Sequence, residues 1–259
     1  MDRRQVLTML AAATAGVAAG ATPELWRRGG HRSAHAAGAG RTPPPPPDPG
    51  FVPAGKLRAV TNPIRSLHDL TPAAPPNAVA LTIDDGPHPY WTPKILDVLA
   101  EHDVPATFNM IGMQVPGNAR VVQRIVAAGH QIADHTLNHP LDLPALPVPR
   151  IRQEIAEAHD RIAQAASAAP RFFRAPGGAW SRQVVDIATS LEMICVGWGV
   201  DPRDWARPGV PHITADLETA KPGDILLCHD GGGDRSQTVT ALRTVLPALK
   251  QRGLTFVAL

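Results

Sequence analysis

From residue 78 onward the chain alternates between short runs of β-branched and aliphatic residues and longer amphipathic segments, and this alternation constrains the fold more than any other feature. The runs predict seven strands, at residues 78–83, 107–111, 131–134, 172–174, 193–198, 224–228 and 255–259. Strands that alternate with helices form a parallel sheet whose right-handed crossovers cover both faces with helices. The chain is 259 residues long, which predicts one α/β domain with extensions.

Three of the intervening segments have the apolar spacing of amphipathic helices. The first is predicted to start with Thr92 as the N-cap and Pro93 in the first helical position. Residues 148–168 and 238–251 repeat the apolar spacing, and Gly253 closes the second of these helices.

The N-terminal part of the chain differs in composition from the predicted domain at residues 77–259. Arg3 and Arg4 precede an alanine-rich run too short to span a membrane. This pattern predicts an export signal over residues 1–36, of the twin-arginine type, with an ordinary secretory signal as the alternative. Residues 37–76 are predicted to be a linker and lead-in segment, whose five consecutive prolines favour a stiff spacer over a recognition peptide. We therefore expect a secreted or cell-envelope protein without a transmembrane anchor.

Charge and cysteine content exclude two classes of function. The formal net charge is +2, and the lysines and arginines are scattered rather than arranged in a stripe, so no nucleic acid is expected as a partner. The two cysteines, Cys195 and Cys228, are too few for a disulfide scaffold and lack the spacing of a zinc knuckle. They fall on consecutive predicted strands, where we favour buried thiols over a disulfide.

Polar clusters follow five of the predicted strands directly. They are Asp84-Asp85, residues 135–139, Arg174, residues 201–205 and His229-Asp230. Functional groups on parallel α/β folds gather at the carboxyl ends of the strands. Five clusters at one edge of one sheet therefore predict a single functional site.

The residue types in these clusters suit a catalytic metal ion. His135 and His139 are four residues apart, so in a single helical turn both imidazoles would project to the same side. Asp84 and Asp85 supply adjacent carboxylates that point in different directions, so that one can bind a metal ion while the other stays free. Two histidines and one carboxylate leave a coordination position for water, as in catalytic zinc sites.

Five motifs along the chain resemble those of a known enzyme family. They are residues 82–87 (TIDDGP), 135–139 (HTLNH), 174–178 (RAPGG), 201–205 (DPRDW) and 227–230 (LCHD). In this order they resemble the polysaccharide deacetylases, the NodB-homology domain of carbohydrate esterase family four, and the resemblance extends from Ala78 to the C-terminus. It implies a distorted (β/α) barrel of about seven parallel strands with the active site at the carboxyl ends. It also implies removal of acetyl groups from N-acetylated sugars with a divalent metal ion.

Carried over by position, the resemblance makes Asp85, His135 and His139 the metal ligands and Asp84 the general base. The expected cofactor is one divalent ion, zinc first, with cobalt, manganese and nickel as alternatives. Such an ion lowers the pKa of a bound water and polarises the acetamide carbonyl, while Asp84 takes the proton as water attacks. Arg174 is expected to pair with Asp84 and to keep it ionised.

The resemblance further implies residues that bind the intermediate, the leaving group and the acetyl group. Gly177 occupies the position whose backbone N–H stabilises the tetrahedral intermediate, although many relatives have a bulky aromatic residue there. His229 corresponds to the general acid, and Asp204 to the carboxylate that supports it. Trp205 and Leu227 are expected to line the pocket for the acetyl methyl group.

The motifs together predict an exported hydrolase that acts on carbon–nitrogen bonds other than peptide bonds. Its expected substrate is an acetylated amino-sugar polysaccharide or oligosaccharide, with peptidoglycan ahead of chitin-like polymers, and a monomer is favoured. The alternatives are an O-acetyl esterase on xylan-type polymers and a non-catalytic carbohydrate-binding domain, against which the intact base, ligands and acid argue. Two further carboxylates in the clusters, Asp201 and Asp230, are expected to fix loops through backbone hydrogen bonds.

Overall fold

The structure is a computed structural model that describes residues 62–71 and 74–259. The predicted export signal and the proline run of the linker lie outside the described residues. Within the described part of the chain, no helix is both long enough and apolar enough to cross a membrane.

The described residues contain a parallel sheet of seven strands. The strands are β1 Ala78–Gly86, β2 Thr107–Met110, β3 Gln131–Asp134, β4 Phe172–Phe173, β5 Ile194–Cys195, β6 Ile225–His229 and β7 Thr255–Val257. Their order is β5-β4-β3-β2-β1-β6, and β7 pairs with the first residues of β1. Each strand lies where the sequence predicts one, and β4 and β5 are only two residues long. The predicted α/β class with a parallel sheet is therefore confirmed.

Helices connect the strands and cover the sheet. In the described ranges they are α1 Leu67–Leu70, α2 Trp91–Glu101, α3 Ala119–Ala127, α4 Val148–Ala166, α5 Arg182–Ser190, α6 Val210–Leu217 and α7 Ser236–Gln251. The three helices predicted from apolar spacing correspond to α2, α4 and α7. Ile95 of α2, Ile162 of α4 and Leu242 of α7 are fully buried, in one hydrophobic cluster with residues of β1, β2 and β6.

The start of α2 differs from the sequence prediction. The helix begins at Trp91, so Thr92 lies inside the first turn rather than at the N-cap, and Pro93 follows it. The Thr92 hydroxyl accepts a hydrogen bond from the His88 backbone N–H at 2.7 Å and donates one to the buried Asp230 carboxylate at 2.5 Å. The Thr92 hydroxyl therefore bonds to a carboxylate at a distant strand end, a partner that the local sequence pattern does not contain.

The sheet is distorted between β5 and β6, which are not joined by a ladder of their own. Three isolated bridges connect this region instead: Ile64 with Val196, Ser66 with Asp224, and Val200 with Leu226. Ile64 and Ser66 belong to the lead-in segment before α1. Part of the segment assigned to the linker is thus inserted into the sheet, between the two strands that do not pair.

Leu67, the first residue of α1, anchors this lead-in segment. Its backbone N–H donates a hydrogen bond to the Gly223 carbonyl at 2.8 Å. Its side chain is only 1% exposed and lies in a hydrophobic cluster that includes Ala78 of β1 and Ile225 of β6. The lead-in segment therefore contributes to the core of the domain.

Both cysteines are free thiols, as favoured from the sequence. Cys195 in β5 packs in a cluster with α5, whereas Cys228 in β6 belongs to the main core. Burial raises the pKa of Cys195 to about 12 and that of Cys228 well above its ordinary value. Because β5 and β6 do not pair along a ladder, the two thiols are not cross-strand neighbours.

We expect Leu67→Ala to lower the free energy of unfolding by about 2–5 kcal/mol, because it removes a buried side chain and leaves a cavity beside the sheet. Leu141→Ala is a matched control that should change it by less than about 0.5 kcal/mol, because Leu141 is 68% exposed. Chemical denaturation followed by circular dichroism measures both. Equal effects would show that the lead-in segment does not stabilise the domain.

Candidate functional site

The carboxyl ends of neighbouring strands bring the polar clusters to one edge of the sheet. Asp84 in β1 lies opposite His229 in β6 on one side and opposite Asn109 in β2 on the other. Strand β2 in turn pairs with β3 as far as Asp134, the residue before His135. Clusters that are far apart in sequence therefore lie side by side.

Asp85, His135 and His139 converge on one point, with a ligand atom from each residue within 4.8 Å of the others. Asp85 Oδ1 is 3.6 Å from His135 Nε2 and 3.2 Å from His139 Nε2. This Oδ1 is buried and has no hydrogen-bond partner. His135 Nδ1 lies 2.7 Å from the Arg174 carbonyl, to which it donates, so its Nε2 is left with a free lone pair. An orphaned carboxylate oxygen facing two imidazole nitrogens fits a divalent metal ion.

The two histidines are presented by a loop, and the sequence prediction that they share a helical turn is wrong. Thr136 and His139 have left-handed backbone conformations, with φ of 67° and 60°. This conformation costs roughly 1–2 kcal/mol for each residue with a side chain. The Thr136 N–H donates to Asp134 Oδ1 at 2.7 Å, and the Thr136 hydroxyl accepts from the His139 N–H at 3.0 Å. Local hydrogen bonds therefore support a strained loop that turns both imidazoles toward Asp85.

Asp84 is buried and is held by two donors at one of its oxygens. Its Oδ1 accepts hydrogen bonds from Arg174 Nη1 at 2.7 Å and from Asn109 Nδ2 at 2.6 Å. Its Oδ2 lies 3.6 Å from His135 Nε2. Burial alone would raise the pKa of Asp84, but chiefly the charge of Arg174, together with the charge of His229 and the hydrogen bond from Asn109, holds that pKa below its usual value. Asp84 is therefore an ionised carboxylate whose Oδ2 faces the candidate metal ligands.

Arg174 makes the ion pair with Asp84 that the sequence predicts, and its side chain has no exposed surface. Nη1 also donates to the Thr82 hydroxyl at 2.7 Å, and Nη2 donates to the Gly197 carbonyl at 2.7 Å. A buried guanidinium is costly unless its charge is paired, and here the pairing with Asp84 and the bonds of both Nη atoms offset burial, while Nε has no partner among the described residues. Thr82 and Asn109 were not predicted as partners of this ion pair, because their only signal in the sequence is a polar residue inside a buried strand.

His229 and Asp204 form a second buried pair. His229 Nδ1 is 2.7 Å from Asp204 Oδ1, while Asp204 Oδ2 accepts hydrogen bonds from the His229 N–H at 2.9 Å and the Thr238 hydroxyl at 2.7 Å. Burial lowers the pKa of His229, but the hydrogen bond and charge of Asp204, with the charges of Asp84 and Asp85, raise it to about 9. An imidazole that keeps its proton at neutral pH can donate it to a departing group.

The three residues predicted to bind substrate differ in their exposure. Gly177 is exposed with φ of 58°, and a Cβ added there would lie 3.4 Å from Leu141 Cδ2. Trp205 is 47% exposed, with the Arg203 guanidinium 5.2 Å from its ring centroid. Leu227 is only 3% exposed within β6. The backbone at Gly177 and the ring of Trp205 are thus open to solvent, whereas Leu227 is part of the sheet.

The carboxylates expected to be structural use different partners. Asp201 Oδ1 accepts a hydrogen bond from the Arg203 backbone N–H at 2.8 Å, as expected. The expectation of backbone bonds is wrong for Asp230, whose partner is the Thr92 hydroxyl. Asp230 is fully buried against Gly86, where an added Cβ would lie 2.5 Å from the carboxylate oxygens. Burial raises the pKa of Asp230 to about 7.

Comparison with known proteins gives matches over most of the described chain. The model of the polysaccharide deacetylase family matches residues 71–196. A chitooligosaccharide deacetylase of Sinorhizobium fredii is 44% identical over 188 residues, which cover 68% of this chain and 87% of the relative. A peptidoglycan-N-acetylglucosamine deacetylase of Bacillus cereus is 41% identical over 182 residues, which cover 69% of this chain and 84% of the relative.

Solved structures share the fold. The crystal structure of the peptidoglycan N-acetylglucosamine deacetylase Bc1960 has a TM-score of 0.71 and 33% identity, covering 77% of this chain and 91% of that chain. A mutant of BA3943, described as a CE4 family pseudoenzyme with restored enzymatic activity, has a TM-score of 0.66 and 33% identity, covering 71% of this chain and 66% of that one. Given the sequence identity, the family match and the common fold, this chain belongs to the polysaccharide deacetylases, the hydrolases with the NodB-homology fold of carbohydrate esterase family four.

Proposed function

We propose that this chain is a metal-dependent N-deacetylase that removes acetyl groups from amino-sugar polysaccharide. The observation that carries the proposal is the setting of Asp84, an ionised buried carboxylate with one free oxygen 3.6 Å from His135 Nε2 and adjacent to Asp85. The pair of His229 and Asp204 lies on the neighbouring strand. One group can therefore accept a proton while another donates one at the same strand ends.

Peptidoglycan is the substrate we favour, ahead of chitin-like oligomers. Relatives named for both kinds of substrate support the class, since one is a peptidoglycan-N-acetylglucosamine deacetylase and another a chitooligosaccharide deacetylase. Export is proposed from Arg3, Arg4 and the apolar run that follows, because peptidoglycan lies outside the cytoplasm. We propose that the exported protein acts as a monomer in the cell envelope or as a secreted enzyme.

Asp85, His135 and His139 are proposed to hold one divalent ion, and their nitrogen and oxygen donors favour zinc. When bound, the ion would lower the pKa of water and polarise the acetamide carbonyl. The Arg174 carbonyl holds the proton of His135 on Nδ1, which keeps Nε2 directed at the site.

Asp84 is proposed as the general base. Its Oδ1 is occupied by Arg174 and Asn109, so the proton from the attacking water goes to Oδ2. The positive charge of Arg174 keeps the carboxylate ionised before the attack and fixes its orientation.

The remaining residues serve the later stage of the reaction in this proposal. His229 gives its proton to the departing amine, and Asp204 holds the imidazole in place and keeps it charged. The backbone N–H of Gly177, an exposed residue, donates to the negatively charged oxygen of the tetrahedral intermediate. Trp205 and Leu227 line the position of the acetyl methyl group.

Replacing the proposed base tests the function directly. Asp84→Asn should reduce acetate release by at least about a hundredfold, because the amide keeps the shape but cannot accept the proton. Asp160→Asn, at an exposed position on α4, is the control that should retain activity. The measurement is mass spectrometry of products from peptidoglycan, chitin oligomers and acetylated xylan. Products from xylan alone would indicate an O-acetyl esterase, and no product from the wild-type protein would indicate a carbohydrate-binding domain.

Metal content tests the proposed ligands. Purified wild-type protein should contain one divalent ion per chain, and His139→Ala should lose most of it because one of three ligands is removed. His212→Ala replaces a half-exposed histidine on α6 and should leave the content unchanged. Elemental analysis distinguishes the variants. Equal metal content in wild type and His139→Ala would contradict the assignment of His139 as a metal ligand.

The proposed acid is tested by comparing amide and ester substrates. His229→Ala should slow deacetylation of an N-acetyl oligosaccharide on the order of a hundredfold, but should slow hydrolysis of an activated aryl acetate much less, because that leaving group needs no proton. Asp204→Asn should act more weakly and should shift the basic limb of the pH profile to lower pH. The sign follows because Asp204 raises the pKa of His229 and activity is lost as that proton dissociates. Equal losses on both substrates with His229→Ala would contradict the role of acid.

A further inference from the structure

The backbone between the two candidate histidine ligands is held by one residue of another element. Glu154, in the first half of α4, accepts a hydrogen bond at Oε2 from the Asn138 N–H at 2.8 Å and at Oε1 from Asn138 Nδ2 at 2.8 Å. Its backbone carbonyl accepts a third from the Leu137 N–H at 2.7 Å. Glu154 thus contacts both Leu137 and Asn138, which lie between His135 and His139 in the loop.

Glu154 is an unusual residue to find buried. It is 1% exposed, and burial of an ionised carboxylate is unfavourable unless donors surround it. Besides the two donors from Asn138, the only charged partner in the described residues is Arg150 Nη2, at 2.9 Å from Oε1 and one helical turn earlier. Most hydrogen bonds of this buried carboxylate are therefore made to the histidine loop rather than within its own helix.

The loop needs such support because its backbone is strained. Thr136 and His139 have positive φ, and the loop has no regular helix or ladder to stabilise that conformation. On its other side, the Gly112 and Met113 N–H groups donate to the Thr136 and Leu137 carbonyls at 2.9 and 3.0 Å. Glu154 supplies the acceptors for two further loop N–H groups, those of Leu137 and Asn138.

Helix α4 is also tightly packed against Gly112, the residue whose N–H donates to the Thr136 carbonyl of the loop. A Cβ added to Gly112 would lie 2.7 Å from Ala158 Cα, so only glycine lets α4 approach this closely. The helix that carries Glu154 is thus held by this contact and by the buried side chains of Ile151 and Ile155.

We propose that Glu154 is a positioning residue that sets the relative placement of His135 and His139, and through it the affinity and geometry of the metal site. This inference rests on the proposed function, in which those histidines bind the ion. It differs from a role in folding alone because it predicts an effect on metal binding in a protein that is already folded.

The test measures metal binding by Glu154→Gln, which keeps the size of the side chain but removes its charge and places an N–H₂ group against the loop donors. Glu157→Gln, at a partly exposed position on the same helix, is the matched control. Zn²⁺ affinity of the full chain is measured by competition with a chromophoric chelator, after thermal denaturation has shown that each metal-free variant is folded. We expect binding about 10–100-fold weaker in Glu154→Gln and unchanged in Glu157→Gln.

The visible absorption spectrum of the Co²⁺-loaded protein provides a second readout, because it depends on the geometry of the ligands. It should change in Glu154→Gln and not in the control. If Glu154→Gln does not fold, Asn138→Ala removes the exposed loop amide and leaves the carboxylate and α4 in place. That variant should bind Zn²⁺ several-fold more weakly with an altered Co²⁺ spectrum.

The outcomes separate this inference from the proposed function. Unchanged Zn²⁺ affinity and Co²⁺ spectra in both Glu154→Gln and Asn138→Ala would overturn the positioning role while leaving the metal site intact. A lower melting temperature of metal-free Glu154→Gln with unchanged affinity would also overturn it, because Glu154 would then act only in folding. Absence of Zn²⁺ binding by the wild-type chain would overturn the proposed function, and this inference with it.

Discussion

The buried ion pair between Arg174 and Asp84 is the interaction on which the arrangement of the site depends. A guanidinium without exposed surface requires a paired charge, and Arg174 has one in Asp84 of β1, while its Nη2 donates to the Gly197 carbonyl beyond β5 and its Nε has no partner among the described residues. The backbone carbonyl of the same residue accepts a hydrogen bond from His135 Nδ1–H. One residue thus keeps the proposed base ionised and oriented, and also selects which nitrogen of a proposed ligand faces the metal site. The proposed base and the proposed metal site are thus linked through the side chain and the backbone of Arg174.

Strand positions and the meeting of the polar clusters at one edge of the sheet could be predicted from sequence, because both follow from short-range patterns combined with one rule of topology. Runs of β-branched and aliphatic residues mark the strands, and the polar residues that follow them meet at the carboxyl ends of a parallel sheet. Asp84 and His229 are far apart in sequence, yet they are register partners in adjacent strands. The order of the five motifs carries the family assignment, which the comparisons confirm.

Loop conformations could not be predicted, because their partners lie elsewhere in the chain. A spacing of four residues fits a helical turn, but the loop of His135 and His139 is instead held by a carboxylate on α4. Thr92 has the local pattern of an N-cap, but it lies inside the helix, where its hydroxyl donates to the buried Asp230. Asn109 was missed because a single polar residue in a strand does not show which carboxylate it will bind.

The lead-in segment also bears on the order in which the domain folds. The Ser66 hydroxyl donates to the Gly223 carbonyl, 157 residues further along the chain, and Ile64 pairs with a residue just beyond β5. Contacts with so large a sequence separation have a high entropic cost of loop closure, and they raise the contact order of the fold. During synthesis this segment leaves the ribosome before β5 and β6, which flank it in the sheet. It can form its native contacts only after both strands have been synthesised. The part of the described chain that is synthesised first is therefore among the last to form its native contacts.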